Sequence, residues 1–571
     1  MKNFKEEIAK LIKNEVASLE FDDIMAMIEV PQDSKMGDYA FPCFKLAKEL
    51  HKAPPLIAAG IAKAIDGNPI FEKVEQVNAY VNMFISKEAF VSDVVNDVID
   101  KKDKYGKSDL GKGKNVLVEF SSPNIAKPFH IGHIRSTVIG NSIYKIYEAL
   151  GYNVTRINHL GDYGTQFGKM IVAYRLWGNE DDVKREPIKT LLSYYTKFHE
   201  EAETNPALED EARETFAKLE QGEEEEVKLW KWFREESLKE FTRVYDMLGI
   251  KFDSYAGESF YSDKMPAIVD NLRKKNLLVA SKGAEIVDLE PYNLTPAVII
   301  KSDGSTIYLT RDLAAAKYRM DTYDFYKSIY VVASQQNLHF QQLKKILELM
   351  GYEWQKDIVH VPFGLVSLEE GTMSTRHGRV VFLEDVLNRA VEQTKEIIKE
   401  KGVNTDAIDE TAKMVGIGAV VFNELSNNRI KDYVFSWSQV LDFNGETGPY
   451  VQYTHARCAS ILRNAGEDIV KKAEAKTIEA KFLTSESAFD LSKLIYRFPD
   501  VIVEAGEKYE PSIITRHIVD IAQAFNRFYH DEHILVDDED EKAAKVALVL
   551  AAKTAIKNGL ALLGMEAPER M

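Results

Sequence analysis

The 571-residue sequence predicts an α/β protein in which a parallel-sheet domain lies between a small α+β module and an all-α region. Three observations predict this fold class. Strand-like apolar runs alternate with helical patterns over residues 111–385, the first 110 residues mix both patterns, and helical periodicity dominates residues 386–571. The alternation favours a parallel sheet because neighbouring parallel strands need a long crossover, usually a helix, between them.

The N-terminal module, residues 1–110, contains both helical and extended patterns. Apolar residues recur at helical spacing over 4–16 and 41–50, and a proline pair then ends the second helix. The apolar stretch 81–85 predicts a strand. These elements together predict a separate α+β module.

The middle region, residues 111–385, supplies the parallel sheet. Its strand candidates are 116–120, 153–157, 328–333 and 358–361. An acidic helical insertion at about 180–245 interrupts the alternation, and an Asp-Gly pair predicts a hairpin within 298–308. Ligands of such sheets bind at the carboxyl ends of the strands, so the residues that follow each strand are the first candidates for a site.

The C-terminal region, residues 386–571, is predicted to be all-α, because strand signals are few there. Its clearest element is a long amphipathic helix at 543–563. The region contains no internal repeat and no coiled-coil heptad pattern, so we expect a compact helical domain.

Composition excludes several classes of protein. No apolar run approaches the ~18 residues that a membrane span requires, and the first residues carry acids rather than an apolar secretion signal. The two cysteines, Cys43 and Cys458, fit a reducing cytoplasm and exclude a disulfide framework and a multi-cysteine zinc site. A net charge of −17 argues against nonspecific nucleic-acid binding but permits a local basic face. We therefore expect a cytoplasmic protein with no membrane partner and no structural zinc.

The most informative segment joins the first predicted strand of the sheet to a long amphipathic helix. Residues 118–134 read Val-Glu-Phe-Ser-Ser-Pro-Asn-Ile-Ala-Lys-Pro-Phe-His-Ile-Gly-His-Ile. His130, Gly132 and His133 fall in the first turn of the predicted helix, where backbone N–H groups and the helix dipole favour phosphate. Imidazoles can donate hydrogen bonds to phosphate oxygens, and glycine lets a base approach the backbone. The segment predicts a nucleotide site, and two solvated histidines at a helix start are the alternative.

This segment resembles the arginyl-tRNA synthetases of bacterial type, which belong to class I of the aminoacyl-tRNA synthetases. His-Ile-Gly-His is the nucleotide-binding signature of that class, and the flanks 121–128 and Arg135-Ser136-Thr137 are similar to the arginyl enzymes. The resemblance implies a Rossmann-like catalytic domain, an N-terminal module that contacts the tRNA elbow, and a C-terminal helical domain that contacts the stem and binds the anticodon. It also implies ATP-dependent ligation of L-arginine to tRNA(Arg) through an arginyl-adenylate, in translation.

A second class I signature, Lys-Met-Ser-Lys-Ser, has a partial counterpart in Gly371-Thr372-Met373-Ser374-Thr375-Arg376-His377-Gly378. Both family lysines are replaced by threonine. Many arginyl enzymes resemble this pattern and carry a lysine just upstream of the histidine signature, where this chain has Lys127. The catalytic residues that the resemblance implies are Lys127, His130 and His133. The ATP-binding residues that it implies are His130, Gly132, His133, Met373 and Arg376. From the residues alone, a glycine-bounded surface turn is the alternative for this second stretch.

Recognition of arginine requires carboxylates, because a guanidinium is planar, permanently charged and carries five donors. Glu119 ends the first predicted strand, and Tyr308 and Asp312 straddle a predicted strand-to-helix junction where both can face one cleft. Without the resemblance, a first-turn helix acid and a core aromatic are the better interpretation of that pair. The resemblance implies that all three residues bind the guanidinium and that the glycine-containing segment 158–168 forms a wall of the site. The residues that it implies for the α-amino end of arginine are Asn124 and Gln336.

Candidate tRNA contacts lie towards both ends of the chain. Tyr450 and Tyr453 are one helical turn apart, so both phenols can share a face and stack on unpaired bases, although core packing is the better interpretation without the family. The resemblance implies that both tyrosines and Met571 lie near the anticodon. The residues that match an elbow-contacting segment are Asn78, Tyr80 and Asn82.

Three alternatives remain open. Another class I synthetase, such as the glutamyl or cysteinyl enzyme, would need cations in the amino-acid pocket or zinc ligands. A tRNA-independent adenylate-forming ligase would have no use for a C-terminal helical domain. A catalytically silent RNA-binding paralogue is suggested by the missing lysines. For the arginyl interpretation we expect ATP, Mg²⁺ bound mainly through the ATP phosphates, and a monomer.

Overall fold

The computed structural model describes residues 3–368, 381–400, 408–442, 445–475 and 478–571. These residues form an N-terminal α+β module, a region built on a parallel sheet, and a C-terminal helical region, so the predicted fold class is confirmed. One large hydrophobic cluster includes buried residues of all three regions, among them Phe4, Ile143 and Leu548. Because the regions share this core, the domain boundaries near residues 110 and 385 stay predictions.

The N-terminal module contains a three-stranded antiparallel sheet with the order β1-β3-β2. Its elements are α1 (Phe4–Glu15), α2 (Phe21–Met27), β1 (Tyr39–Pro42), α3 (Ala47–Leu50), α4 (Pro54–Ile65), β2 (Phe71–Val77), β3 (Tyr80–Ile85) and α5 (Lys87–Lys101). The helix predicted at 41–50 is wrong in its first half, because β1 pairs with β3 there and only α3 is α-helical. Strand pairing overrides the local helical periodicity, and Pro42 is tolerated at the end of an edge strand.

The middle region contains the four-stranded parallel sheet. Its elements are β4 (Asn115–Glu119), α6 (Ile134–Ala149), β5 (Asn153–Ile157), α7 (Thr165–Trp177), α8 (Glu180–Arg185), α9 (Pro187–Thr204), α10 (Ala207–Gln221), α11 (Glu224–Met247), α12 (Met265–Lys274), β6 (Leu278–Ser281), β7 (Ala284–Val287), β8 (Ala297–Ile300), α13 (Tyr308–Tyr323), β9 (Lys327–Ala333), α14 (Asn337–Leu349), β10 (Ile358–Phe363) and β11 (Val366–Leu368). The sheet has the order β10-β9-β4-β5, all parallel, and its strands are the four that the sequence predicts. The insertion consists of α8 to α11.

The hairpin predicted at 298–308 is wrong in its second arm. The turn forms at Gly304, with a φ of 83°, and Ile300 bridges Thr306, but Tyr308 already begins α13. Strand β8 pairs instead with β7, in an antiparallel sheet of order β6-β7-β8 that the sequence analysis missed. Each of these strands has four residues, which is too short for alternation to be distinguished from other patterns.

Over the residues that the structure describes, the C-terminal region is helical, as predicted, with one short strand. Its elements are α15 (Leu383–Glu400), α16 (Ile408–Ser426), β12 (Tyr433–Phe435), α17 (Trp437–Val440), α18 (Gly448–Ala465), α19 (Glu467–Glu474), α20 (Glu486–Lys508), α21 (Ser512–Asp531) and α22 (Glu539–Leu562). Strand β12 pairs in parallel with β11 and so attaches this region to the sheet domain. The long predicted helix is α22, which begins earlier than expected because the Asp538 carboxylate caps its first turn. None of the helices that the structure describes combines the length and apolar character of a membrane span.

Candidate active site

The carboxyl ends of the parallel strands bring the predicted site residues to one edge of the sheet. Glu119 is the last residue of β4, Asn158 and His159 follow β5, and Gly364 follows β10. The 3-10 turn Ser334–Gln336 directly follows β9. Open α/β sheets bind ligands at this edge, where the loops that leave neighbouring strands enclose a crevice.

The loop between β4 and α6 is held in an unusual backbone conformation by another element. Ser121, Ser122 and Ala126 have φ values of 69°, 47° and 57°, a left-handed region that non-glycine residues rarely adopt. The Ser121 hydroxyl lies 2.8 Å from the Tyr245 hydroxyl, and the Ala126 N–H donates to Ser237 Oγ at 3.2 Å. Both partners belong to α11, so the helical insertion supports the loop that leads into the histidine signature.

The signature histidines form a close pair in which backbone N–H groups fix the tautomer of each ring. The Gly132 N–H donates to His130 Nδ1, and the His130 N–H donates to His133 Nδ1, both at 3.1 Å. A ring nitrogen that accepts a hydrogen bond carries no proton, so each neutral imidazole keeps its proton on Nε2. Burial lowers the pKa of both rings, that of His133 to about 3, and the ring centroids are 4.0 Å apart. The pair therefore offers two uncharged Nε2–H donors at neutral pH.

The backbone N–H groups at this helix start are already engaged, which corrects the predicted backbone cradle for phosphate. A 3-10 turn, Ile131–His133, precedes α6. Besides the two N–H groups that the imidazoles bind, the Ile131 N–H donates to Val381 O at 3.1 Å and the His133 N–H to His130 O at 2.8 Å. The imidazoles satisfy donors that a helix start otherwise leaves free. Their Nε2 atoms, rather than the backbone, are the donors left for a ligand.

The residues just after the second signature are hydrogen-bonded to the first. The Leu383 N–H donates to Phe129 O at 2.9 Å, and Phe382 forms an isolated antiparallel bridge with His130. The predicted ATP-binding residues that lie outside the described residues are Met373 and Arg376. Shortly after these two residues in the sequence, Phe382 and Leu383 are hydrogen-bonded to the segment that begins the histidine signature.

Three consecutive residues, 135–137, begin two positions after the histidine signature and attach it to three different places. Arg135 is fully buried and donates to the carbonyl of Gly364, after β10, at 3.1 Å. Ser136 donates to Val331 O in β9 at 2.9 Å. Thr137 Oγ1 lies 2.9 Å from the hydroxyl of Ser121, in the loop between β4 and α6. These contacts explain why the residues after the signature are polar: each side chain attaches the signature to a different element.

Lys127, the predicted catalytic lysine, is half-buried beside a small cavity between the signature loop, α7 and the insertion. The other residues that line this cavity are Ile125, Ala126, Gln166, Phe167, Met170 and Tyr195. Burial is the main cause of the lowered pKa of His133, and the neighbouring His130 ring and the Lys127 ammonium lower it further. The Lys127 ammonium therefore lies within electrostatic reach of the imidazole pair and helps to keep it uncharged.

Glu119 is paired with an arginine that the sequence patterns did not single out. Arg319 Nη1 lies 2.6 Å from Glu119 Oε2, and the Arg319 side chain is 1% exposed. The guanidinium also packs over the ring of Tyr330, 5.2 Å from its centroid. The charge of Glu119 is therefore already compensated within the protein. A sequence signal existed, because Arg319 follows Asp312 by seven residues on one helix and so shares its face.

Asp312 is held between two histidines. His339 Nε2 lies 2.7 Å from Asp312 Oδ2, and His159 Nε2 lies 4.0 Å from Oδ1. Burial alone would raise the pKa of Asp312, but the hydrogen bond from His339 and the neighbouring charges hold it below its usual value. His159 Nδ1 lies 3.3 Å from Arg319 Nη2. A continuous contact chain, Glu119–Arg319–His159–Asp312–His339, therefore joins the two predicted carboxylates.

The other predicted arginine-binding residues lie around this contact chain. Tyr308 is 61% exposed, and its ring centroid lies 5.5 Å from that of His339. Asn124 and Gln336 are exposed at the same sheet edge. A Cβ at Gly161 would come within 2.1 Å of Asn124 Oδ1, so glycine at this position lets the loops after β4 and β5 meet.

The wall segment 158–168 carries a buried acid, Asp162, and faces a second acid, Glu258. Asp162 accepts from Arg234 Nε at 2.8 Å and from the Ser259 hydroxyl at 2.9 Å. Glu258 Oε2 lies 3.6 Å from Arg311 Nη1, and burial raises the pKa of Glu258 to about 7 against the opposing charge of Arg311. Arg234 belongs to α11, so the insertion supports this wall as well. No motif or periodicity marked Glu258 in the sequence.

Two of the predicted tRNA-binding residues line a cavity of about 380 Å³ in the C-terminal region. Its lining residues are Tyr453, Ala456, Arg457, Ser460, Arg463, Arg570 and Met571. The Arg457 guanidinium lies 4.9 Å from the centroid of the Tyr453 ring. Tyr450 is half-buried beside Asn526, which donates to its hydroxyl at 2.9 Å. The cavity therefore combines an aromatic ring with three arginines that sequence patterns had not indicated.

The N-terminal candidates differ in exposure. Asn78 is exposed in the turn between β2 and β3, with a φ of 53°. Tyr80 is half-buried, and its ring centroid lies 5.4 Å from that of Phe44. Asn82 is 3% exposed and faces Met36 Sδ at 3.8 Å, so a direct contact with tRNA would require Met36 to move. Asn78 and Tyr80 are the accessible part of that prediction.

Across the residues that the structure describes, no group of three or more His, Cys, Asp or Glu side chains is arranged to hold a metal ion. Cys43 and Cys458 are both buried thiols, and burial raises the pKa of Cys43 to about 12. Near the predicted nucleotide site, which follows β4, the polar side chains include Lys127, His130 and His133.

Comparison with known proteins first gives the class. Residues 94–437 match the family model described as tRNA synthetases class I (R), catalytic domain, and these residues contain the parallel sheet and both signatures. The fold and the site are those of a class I aminoacyl-tRNA synthetase. Residues 4–85 match the arginyl tRNA synthetase N terminal domain, and residues 451–571 match the DALR anticodon binding domain.

Similarity to individual proteins then gives the family. The chain is 58% identical over 571 residues to the arginine–tRNA ligases of Halothermothrix orenii and of Clostridioides difficile, with 100% of each chain covered. The chain belongs to the arginyl-tRNA synthetase family. The solved arginyl-tRNA synthetase from Thermus thermophilus shares its fold, with a TM-score of 0.78 at 24% identity over 100% of this chain and 99% of that one. The solved enzyme from Plasmodium falciparum has a TM-score of 0.75 at 27% identity, over 99% and 98% of the two chains.

Proposed function

We propose that this chain ligates L-arginine to tRNA(Arg) with ATP, by way of an arginyl-adenylate. The observation that carries the proposal is the shared sheet edge. There the uncharged imidazole pair, suited to phosphate, follows the same strand whose last residue, Glu119, begins the contact chain to Asp312. A cationic amino acid and a triphosphate can therefore be held by adjacent loops.

In the first step, a carboxylate oxygen of arginine attacks the α-phosphorus of ATP, and the bond to the β-phosphate breaks to release pyrophosphate. No side chain forms a covalent bond, so catalysis is positioning and stabilisation of charge. His130 and His133 donate from Nε2 to phosphate oxygens, and Lys127 adds positive charge beside them. Met373 and Arg376 complete the ATP-binding set in this proposal, together with Gly132.

In the second step, the 2′-hydroxyl of the terminal adenosine of tRNA(Arg) attacks the carbonyl carbon of the adenylate. The ester to the tRNA forms, the mixed anhydride bond breaks, and AMP leaves with its phosphate. The hydroxyl proton is released to water as the ester forms. The same positioning groups serve both steps, because the phosphate that accepts the leaving electron pair stays beside the imidazole pair.

Arginine is selected by carboxylates whose ionised state is secured by neighbours. Asp312 is the principal contact to the guanidinium, because its partners are histidines and burial keeps His159 uncharged by lowering its pKa. Glu119 shares its charge with Arg319 and adds a second, weaker contact. Tyr308 closes the guanidinium end. The residues that we propose for the α-amino end are Asn124 and Gln336.

The flanking regions bind the tRNA. We assign 1–110 to contact with the tRNA elbow, 111–385 to catalysis and 386–571 to stem contact and anticodon binding. Stacking of an anticodon base on Tyr453, with Arg457 above the same ring, fits the aromatic and cationic cavity that Met571 also lines. The remaining proposed tRNA contacts are Asn78, Tyr80, Asn82 and Tyr450.

The enzyme is proposed to act as a monomer in the cytoplasm, with Mg²⁺ carried into the site by ATP. The described residues offer no carboxylate cluster for this ion, so phosphate oxygens are its proposed ligands. When bound, Mg²⁺ would neutralise part of the triphosphate charge. Sedimentation of the purified chain at several concentrations tests the oligomeric state.

The test of the function is ATP–pyrophosphate exchange with each of the amino acids, with and without tRNA(Arg). The expected result is exchange that depends on arginine, together with transfer of labelled arginine to tRNA(Arg). Exchange that depends on another amino acid would indicate a different class I specificity. No exchange in either condition would contradict the proposal and favour the catalytically silent paralogue.

A further inference from the structure

Residues 564–571 form a tail that follows α22 and contacts α18. Gly564, with a φ of 78°, ends α22 and turns the chain, and Met565 is buried. Beyond Met565 the tail forms no regular helix or strand. Its backbone carbonyls therefore need hydrogen-bond partners from another element.

Three side chains of α18 bind backbone carbonyls of the tail. The donor atoms and the carbonyls are Gln452 Nε2 with Glu566 O at 2.8 Å, His455 Nδ1 with Pro568 O at 2.9 Å, and Arg463 Nη1 with Glu569 O at 3.0 Å. Because the three donors are three and eight residues apart along the helix, they fall on one side of it. They bind the backbone, so they fix the path of the tail independently of its side chains.

His455 is the most constrained of these donors, because its side chain is 0% exposed. A carbonyl oxygen only accepts, so Nδ1 carries the proton and donates to Pro568 O. Burial lowers the pKa of His455 to about 4, which leaves the ring neutral at pH 7 and its Nε2 without a proton. This Nε2 has no hydrogen-bond partner among the described residues and lies 4.0 Å from Glu569 Oε1. The hydrogen bond that the ring makes is therefore to the tail.

The neighbouring side of α18 lines the cavity of about 380 Å³ described above. The helix contributes Tyr453 and Arg457 to its wall, and the end of the tail contributes Arg570 and Met571. These last two residues follow Pro568 by only two and three positions, and each residue of chain spans up to ~3.6 Å. Release of the tail at Pro568 would therefore allow both side chains to leave the cavity.

We propose that His455 is a positioning residue for tRNA(Arg), because it holds the tail whose last two side chains complete the cavity. Gln452 assists it at a carbonyl two residues earlier in the tail. The inference rests on the proposed function, since it takes this cavity to be a contact with the tRNA. His455 is buried and acts through the backbone of the tail. Its loss should weaken tRNA binding and leave ATP and arginine, whose candidate sites lie at the sheet edge, unaffected.

Two substitutions of His455 separate its hydrogen bond from its bulk. His455→Leu keeps an apolar side chain but leaves Pro568 O without its donor. His455→Asn restores the donor, because Nδ2 of asparagine is bonded to Cγ, as Nδ1 of histidine is. Rescue by asparagine and loss with leucine would therefore assign the effect to the hydrogen bond.

His517→Leu is the matched control. His517 of α21 is 6% exposed, its Nε2 lies 2.9 Å from Leu494 O, and burial lowers its pKa to about 4. This carbonyl belongs to α20 and not to the tail. The control therefore removes a similar buried hydrogen bond from the same helical region without releasing the tail.

The measurements are KM for tRNA(Arg) and kcat in aminoacylation, the exchange constants for ATP and arginine at saturating tRNA, and Tm. For His455→Leu, KM for tRNA(Arg) should rise about tenfold, the scale of one lost stacking contact, with kcat and the exchange constants within about twofold. His455→Asn should stay within about threefold of the wild-type KM. His517→Leu should lower Tm and leave KM for tRNA(Arg) within about twofold.

A combined variant tests whether His455 acts through the end of the tail. Arg570→Ala, Met571→Ala removes both lining side chains, leaves the tail backbone in place, and should itself raise KM for tRNA(Arg) about tenfold. Addition of His455→Leu to it should lower Tm again but change KM by less than about twofold, because the tail has nothing left to position. If His455→Leu does not fold, Gln452→Met takes its place, since methionine keeps the side-chain length but loses the donor to Glu566 O.

The inference would be overturned by an unchanged KM for His455→Leu, by an equal rise for His517→Leu, or by additive rises in the combined variant. A wild-type KM for Arg570→Ala, Met571→Ala would contradict the proposed tRNA role of the cavity, and the inference with it. Absence of charging in the wild type would instead contradict the proposed function.

Discussion

The two halves of the candidate site, one around His130 and His133 and the other around Glu119 and Asp312, fix their polar groups in opposite ways. At the nucleotide half, His130 and His133 are uncharged, and backbone N–H groups fix which of their nitrogens is the donor. At the amino-acid half the carboxylates are held by charged or hydrogen-bonding partners, with Glu119 against Arg319 and Asp312 against His339. In the nucleotide half, backbone hydrogen bonds fix the imidazole tautomers. In the amino-acid half, ion pairs and hydrogen bonds hold the carboxylates.

Under the proposed function, this difference assigns selectivity for arginine and stabilisation of phosphate charge to different residues. In the amino-acid half, Arg319 cancels the charge of Glu119, which leaves Asp312 as the carboxylate that can respond to a cationic substrate. In the nucleotide half the imidazoles are uncharged, so under the proposed function Lys127 supplies the positive charge. Substitutions that remove a charge, an ion-pair partner or an imidazole should therefore differ in whether they change stability, activation rate or affinity for arginine.

The largest expected effect is on stability, from Glu119→Gln. This change leaves the buried guanidinium of Arg319 without its carboxylate, and breaking one partner of a buried pair costs about 3–5 kcal/mol. Chemical denaturation followed by fluorescence measures it. The double variant Glu119→Gln, Arg319→Gln should recover a large part of the loss, and an additive loss in the double variant would show that the pair is not coupled.

Lys127→Ala should lower the rate of arginine activation about 10²–10³-fold, because it removes the cation that the neutral imidazoles cannot replace. KM for arginine should change little, since Lys127 lies at the nucleotide half. ATP–pyrophosphate exchange measures both constants. Lys127→Arg is the control and should retain much of the rate; a wild-type rate for Lys127→Ala would assign the charge to another cation.

Asp312→Asn should weaken arginine binding by about 1.5–3 kcal/mol, the scale of a hydrogen bond to a charged group. Unlike Glu119→Gln, it should have a small effect on Tm, because His339 can still hydrogen-bond to the amide. Calorimetry with arginine measures the affinity. An unchanged Kd would place Asp312 outside the pocket and remove the distinction drawn between the two carboxylates.

The neutral state of His133 predicts a pH-dependent stability. Its pKa is about 3 in the folded chain against 6.5 for the ordinary value, so between these values the unfolded chain binds a proton that the folded chain does not. The stability that this residue contributes is complete above pH 6.5 and is lost as pH falls, at about 1.4 kcal/mol per pH unit. His133→Asn should therefore flatten the fall of Tm between pH 7 and pH 5. A fall as steep as that of the wild type would contradict the neutral assignment.

The smallest effect on activation is expected from Tyr453→Ala, which lies outside both halves. Loss of one stacking partner, about 1–3 kcal/mol per base, should raise KM for tRNA(Arg) about tenfold in aminoacylation. Exchange measured at saturating tRNA should keep its ATP and arginine constants. Tyr453→Phe is the control and should behave like the wild type, and a change in KM for ATP would show that the cavity communicates with the site.

The sequence predicted structure best where a local pattern is compatible with a single type of secondary structure. The four strands of the parallel sheet were found because their apolar runs are long enough to be distinct, and the loop from β4 to α6 was found because polar residues interrupt an otherwise buried region. The strand β1 was mistaken for helix because its residues satisfy helical spacing, and only its pairing with β3 decides between the two. Long-range pairing of this kind leaves no mark in a single segment.

In the candidate site, the sequence indicated several polar side chains but not the partners that the fold gives them. Glu119, Asp312 and the signature histidines were all singled out, whereas Arg319, which is 200 residues from Glu119 in the chain, was not. The engagement of the backbone at His130 was also missed, because it depends on the tautomer that the folded loop imposes on each imidazole. Partners are set by the fold, and this is why a motif alone overestimates how many charges a site leaves free.

The supporting role of α11 has a consequence for protein engineering. Through Ser237 and Tyr245 it braces one loop, and through Arg234 it braces the wall. A designer who wished to shorten the enzyme by excising residues 180–245 would remove these braces together with the acidic surface. A change in the length of this segment, or its exchange with that of a relative, must therefore keep the contacts of Arg234, Ser237 and Tyr245. The exposed acidic face of the same helix is not under this constraint.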